Sequence, residues 1–255
     1  MYSNSINSYL NLTRTASYGF IAAIPLFIIY EIFILFINLE SNVSIRVGAD
    51  IWLKQILSTI GVRGHHTVGL IAAIFGLIIF FIERRKKDVR VKFFYFPWMI
   101  VESLFYSIFF AIIISKTVTF VFSSAYWYKP LALEAINGAP PSDFWLQITL
   151  SIGAGLYEEL VFRVLLISCL YFFISYFVLS KGTASYVASA LIAALLFSAV
   201  HYIGSYGDVF TIPSFTFRLL FGLAFNILYV VRGFGVTAWS HSLYDVLLTV
   251  FMQSD

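Results

Sequence analysis

The feature that most restricts this chain lies between Phe144 and Leu179, a run of roughly 36 residues whose only charges are Glu158, Glu159 and Arg163. As one straight helix it would be about 54 Å long at 1.5 Å per residue, against a hydrocarbon core of about 30 Å. It must therefore tilt strongly, or break near Gly153 and Gly155 into a shorter helix and a full span. Further apolar runs occupy 16–39, 67–82, 97–122, 184–201, 215–231 and 236–252. Together they predict an all-α polytopic transmembrane helix bundle of seven spans, or eight if 144–179 is split. Only 11% of residues are charged and 60% are hydrophobic, where a soluble domain carries about a quarter charged residues. The expected organisation is one membrane domain over 1–255, with N-terminal spans and an interfacial helix in 16–143 and a core in 144–252.

The remaining segments fit that organisation. Residues 43–62 alternate Ile45, Val47, Ile51, Trp52, Ile56 and Leu57 with Arg46, Asp50 and Lys54, a pattern for an amphipathic helix lying at the interface. Residues 83–92 hold six of the sixteen Lys and Arg, so this loop is expected in the cytoplasm. On the opposite side, Tyr126, Trp127 and Tyr128 followed by Gly138-Ala-Pro-Pro141 predict an interfacial belt and a turn. The first apolar run has no small-x-small cleavage motif behind it and reads as an uncleaved span. The net charge of +3 comes mostly from one loop, which excludes nucleic acid as a partner and leaves the lipid bilayer. The single Cys169 excludes an intramolecular disulfide and a Cys-rich metal site.

A charge near mid-membrane costs roughly 2.5–3.5 kcal/mol on insertion scales, so charges kept there are site candidates by default. Glu159 and Arg163 are four apart on one helix face and can pair. Glu158, turned by about 100°, points elsewhere; less directly paired and desolvated, it suits a general base or acid. A second constellation, Phe197-x-x-x-His201, ends the following span. Counting from the Lys181 turn gives Glu158 a depth of about 34 Å and His201 about 26 Å, so an antiparallel pair brings them level, with Phe197 as a pocket wall. The third, His241-x-x-x-Asp245, lies on the last span. It can bind metal, or orient and stabilise charge on a reacting carbonyl. Straight-helix counting leaves His241 a turn or two short of the other two groups.

Glu158-Glu159-x-x-x-Arg163, Phe197-x-x-x-His201 and His241-x-x-x-Asp245 together resemble the motif set of the CAAX-processing and bacteriocin-processing intramembrane protease family, which includes the Ras-converting CaaX endopeptidases. The resemblance covers roughly 144–250. It implies that Glu158, with His201, activates a water to attack a peptide carbonyl. It further implies that His241 and Asp245 stabilise the oxyanion and that Glu159 and Arg163 support the site. The implied substrate is a membrane-associated protein or peptide, with or without a lipid. Asp245 replaces the Asn common in relatives, which weakens the oxyanion assignment and favours an orienting or metal-binding role. The glutamate mechanism needs no cofactor; a divalent metal, where one is used, would fall to Glu158, His201 and His241. Two other classes also fit intramembrane charges: a non-catalytic scaffold or bacteriocin-immunity protein of the same fold, and a proton-coupled transporter using Glu158, His201 and His241. The complete motif set argues against the first, and the absence of internal repeats against the second.

Competing chemistries are poorly represented. Ser198 and Ser240 neighbour the histidines on different helix faces, and no His-Glu-x-x-His zinc motif occurs. Glu31 and Glu102 read as structural, Arg218 as snorkelling to head groups, and His65 and His66 as interfacial without a role. Asn226 is expected to face the bundle near the site. Ser151, Gly153 and Gly155 are expected to let a neighbouring helix approach just before the acids.

Overall fold

The computed structural model describes residues 2–40, 45–64, 67–87, 91–122, 144–204 and 207–252, and these form helices and short connections without a strand. The expected belt at 123–143, together with His65 and His66, lies outside the described residues, as do 88–90 of the basic loop. In chain order the helices are α1 (Tyr2–Thr13), α2 (Ala16–Glu40), α3 (Gly48–Thr59), α4 (Thr67–Lys87) and α5 (Tyr95–Phe122). They continue with α6 (Phe144–Phe177) and then α7 (Thr183–Val200), α8 (Ile212–Arg232) and α9 (Phe234–Met252). By length and composition, α2, α5, α6, α7 and α8 are able to cross a membrane. Their outer faces keep large apolar side chains exposed, Phe36, Phe105, Phe120 and Phe172 among them, as a surface facing acyl chains requires.

Helix α9 is the axis of the bundle, packed on α2, α5, α6 and α8. Val236, Thr237, Ala238, Ser240, His241 and Ser242 are all buried. Protein surrounds the first half of this helix, so it can carry hydroxyls and a histidine that a lipid-facing span could not. Two apolar clusters flank it. One joins Tyr18, Met99, Phe217, Phe221 and Val236; the other joins Leu26, Tyr30, Leu156, Tyr157 and Ala238. Polar clips add direction: the Trp239 indole donates to the Ala22 carbonyl at 2.7 Å, and Ser103 Oγ to the Val236 carbonyl at 3.1 Å. A single residue, Gly233, separates α8 from α9. Its φ of +80° is one that side chains rarely adopt, and a Cβ there would fall 2.7 Å from the Arg14 carbonyl oxygen.

Helix α6 does not break at its glycines. It runs unbroken from Phe144 to Phe177, and its irregularity is a π-helical stretch over Leu160–Leu166, where Ile167 N–H donates to the Phe162 carbonyl. The glycines serve packing instead. A Cβ on Gly153 would sit 2.3 Å from the Tyr30 ring, and one on Gly155 would sit 2.2 Å from both the backbone nitrogen and Oγ of Ser242. Gly155 thus sets how closely α6 and α9 approach beside His241. Gly155→Ala must push α9 away, an overpacking cost of about 1–3 kcal/mol. Gly182→Ala, where nothing lies within 4 Å of the new carbon, is the control. Thermal melts in detergent should show a lowered midpoint for the first variant alone; equal midpoints would refute the close-approach role.

Helix α3 has the two faces expected of an amphipathic helix, with the charged one against the protein. Asp50 is fully buried, while Ile51, Trp52 and Ile56 face out. The reason is a charge partner on α2: Arg46 pairs with Glu31 at 2.9 Å and with Asp50 at 2.8 Å. Lys54 closes on Asp50 at 2.9 Å, although burial pushes its ammonium down. Glu31 also accepts from the Tyr157 hydroxyl at 3.2 Å. At the other end of the bundle Glu102 pairs with Arg232 and accepts from Tyr9 at 2.6 Å. Burial against that carboxylate pushes the Tyr9 phenol up.

Candidate active site

The site is assembled from α6, α7 and α9. The two acids of α6 part ways, as adjacent helical positions must. Glu159 is fully buried and Arg163 nearly so, with Nη1 of Arg163 3.0 Å from Glu159 Oε1. Glu158 turns toward α7 and keeps 18% side-chain exposure, facing His201, itself 26% exposed, with Oε2 and Nε2 4.0 Å apart. That gap is too long for a direct hydrogen bond and of a length that one water bridges.

His201 is oriented by the helix it ends. The last carbonyls of a helix lack intrahelical donors, and His201 Nδ1 lies 2.7 Å from one of them, the Phe197 oxygen. Nδ1–H donates there, which leaves the Nε2 lone pair toward Glu158. Phe197 stands between the two histidines, its ring centroid 5.0 Å from that of His201 and 6.1 Å from that of His241. The Arg163 guanidinium lies over the same Phe197 ring at 4.6 Å.

The depth left open for His241 is closed. Its Nδ1 lies 2.7 Å from Glu159 Oε1, an N–H donating to the carboxylate. Its Nε2 faces Asp245 Oδ2 at 3.4 Å. One buried carboxylate therefore holds both Arg163 and His241, and couples the first motif to the third. Ser242 of α9 donates to the Ile152 carbonyl of α6 at 3.2 Å, beside the Gly155 approach that levels the two helices.

This arrangement bears on metal binding. Glu159 and Asp245 face the two ring nitrogens of His241, so His241 could join Glu158 and His201 around an ion only by giving up one of these partners. The three do not fit a divalent metal as placed, and among the described residues no group of three or more His, Cys, Asp or Glu is arranged to hold one. The neighbouring serines are occupied elsewhere: Ser198 donates to the Phe215 carbonyl at 2.8 Å and Ser240 to that of Val236 at 2.7 Å.

Helix α8 supplies contacts that sequence reasoning missed. Phe225 stacks on the His241 ring at 5.0 Å, and the Gly222 carbonyl lies 3.4 Å from Arg163 Nη2. Arg218, Gly222 and Phe225 follow helical spacing on one face, the one signal that could have grouped them. Arg218, expected to snorkel to head groups, has its guanidinium held by Asp208, Ser214 and the Tyr202 hydroxyl. Its charge finds a carboxylate within the protein, which competes with lipid. Asn226 donates to the Ala190 carbonyl at 2.8 Å, tying α8 to α7 rather than entering the site.

Residues 140–247 match a family model described as type II CAAX prenyl endopeptidase Rce1-like. That stretch is similar to the Rce1-like family, consistent with the CAAX-processing and bacteriocin-processing family that its motifs resemble, and it contains every site residue described above. No curated protein and no solved structure matches the chain.

Proposed function

We propose that the protein is a glutamate-dependent intramembrane endopeptidase, with one membrane domain of seven spans, α4 and α9 joining the five helices that are long and apolar enough to cross by themselves. The basic loop 83–92 is taken as cytoplasmic. The observation that carries the reading is the Glu158–His201 separation of 4.0 Å, both groups partly exposed. A water in that gap gives a proton to Glu158 while His201 Nε2 accepts its other hydrogen and orients it. The oxygen attacks a peptide carbonyl, and a doubly protonated His241, its Nδ1–H held by Glu159, turns its Nε2–H from Asp245 to the developing oxyanion. Glu158 then passes its proton to the departing nitrogen. Asp245 keeps the His241 ring turned toward the site, while Glu159 and Arg163 fix it from behind. No step uses a metal.

The family description supports a membrane-associated protein or peptide as the substrate, with a prenylated C-terminal tail as the first candidate. The test compares protein ends in membrane and released fractions from cells carrying the wild type or Glu158→Ala. The reading expects a new terminus that appears only with the wild type. Identical termini in both, with equal amounts of inserted protein, would leave a scaffold as the better account.

A further inference from the structure

We infer that Arg218 is a positioning residue for His201, an inference that rests on reading Glu158 and His201 as the pair that activates water. Helix α7 ends at Val200, so His201 has helical hydrogen bonding on one side of its backbone only. On the other side the Asp208 N–H donates to the His201 carbonyl at 2.9 Å. Asp208 is held in turn by the Arg218 guanidinium. The same guanidinium donates at 2.8 Å to the hydroxyl of Tyr202, the residue directly after His201. It also donates to Ser214, and its centre lies 5.2 Å from the Tyr202 ring centroid. One side chain of α8 thus grips both the neighbour of His201 and the residue bonded to its carbonyl.

Magnitudes decide what this grip is for. The Asp208 side chain is 41% exposed, and ion pairs at such positions add little stability. Tyr202 also packs on Phe210 at 5.2 Å and Phe215 at 6.3 Å, so the stretch stays docked without the guanidinium. Water activation across a 4.0 Å gap is far less tolerant, because a 1 Å misplacement can cost about 10²-fold in rate. Arg218 therefore matters to the placement of the imidazole more than to the fold.

The test uses purified full-length protein in liposomes and an internally quenched peptide ending in a farnesylated CaaX sequence. It compares wild type, Arg218→Ala, Arg218→Lys, Asp208→Ala and the Arg218→Ala/Asp208→Ala double variant, with Glu158→Ala as the inactive reference. A second readout is independent of activity: the rate at which diethylpyrocarbonate modifies His201 and His241, followed by mass spectrometry. Arg218→Ala should lower kcat on the order of 10–100-fold with KM within about twofold. Arg218→Lys should recover part of the loss, and the double variant should be no worse than either single one. His201 should become several times more reactive toward the reagent while His241 does not change. Wild-type cleavage by Arg218→Ala with unchanged His201 reactivity overturns the inference, as does a parallel rise at both histidines, which means general loosening. If wild type and Glu158→Ala are equally inert toward the peptide and toward membrane proteins, the hydrolase reading fails instead. The His201 reactivity then still decides whether Arg218 positions that ring.

Discussion

Glu158→Gln is expected to lower kcat/KM for a farnesylated CaaX peptide by about 10²–10⁴-fold, the range of a general base, without loss of folded protein. Glu158 is partly exposed and its contact with His201 is a long one, so a neutral amide of the same shape strands no buried charge. His201→Ala should cost a similar factor, because either group alone leaves the water without half of its support. The decisive comparison is the double variant. Groups that act as one unit are strongly non-additive, so Glu158→Gln/His201→Ala should be no slower than the worse single variant. Losses that multiply would mean that the two act in separate steps and would remove the shared-water mechanism. A chelator arm belongs to the same experiment. Because both His241 nitrogens face carboxylates, EDTA should leave the wild-type rate within about twofold, whereas a catalytic zinc held by protein ligands would be lost or exchanged.

How far the sequence could carry this site depends on which forces act along a helix and which act between helices. Pairing of Glu159 with Arg163 and divergence of Glu158 follow from helical period alone, and both are present. The level placement of Glu158 and His201 follows from two helices leaving one short turn. His241 did not yield to counting, because its depth is set by how α9 packs. That is decided at Gly155, where backbone meets backbone, and at Glu159, whose second partner is 82 positions away. The π-helical stretch after Glu159 has no compositional signature, and the glycines that suggested a break relieve contact with Tyr30 and Ser242 instead. Helix α3 was legible only in part, for a related reason. Its alternation showed two faces, but which one turned inward depended on Glu31, a charge on another helix. Arg218 had the composition of a snorkelling residue, and its partners Asp208 and Tyr202 come from an irregular stretch that periodicity does not describe.

The largest expected effect on stability belongs to Glu159. Arg163 is buried to 1% exposure and Glu159 completely, and the remaining contacts of the guanidinium are weak. They are a 3.4 Å approach to the Gly222 carbonyl and the rings of Phe197 and Phe225 at 4.6 and 5.7 Å. Glu159→Ala leaves a desolvated cation without its carboxylate, for which about 3–5 kcal/mol is expected. At this chain length that is a fall in melting midpoint on the order of 10 °C. Removing both charges is a different experiment. In Glu159→Met/Arg163→Met, side chains of similar volume replace the pair and no guanidinium is stranded, so the midpoint should recover in part. It falls short by the cost of a buried His241 N–H left without an acceptor, about 1–3 kcal/mol. Activity should not return, because His241 has lost the acceptor 2.7 Å from its Nδ1 and with it the orientation of the N–H offered to the oxyanion. Melting in detergent and peptide cleavage, measured on the same preparations, separate the two roles. A double variant that regains both stability and cleavage would show that Glu159 merely neutralises Arg163. A Glu159→Ala protein as stable as the wild type would show that the buried cation has another partner.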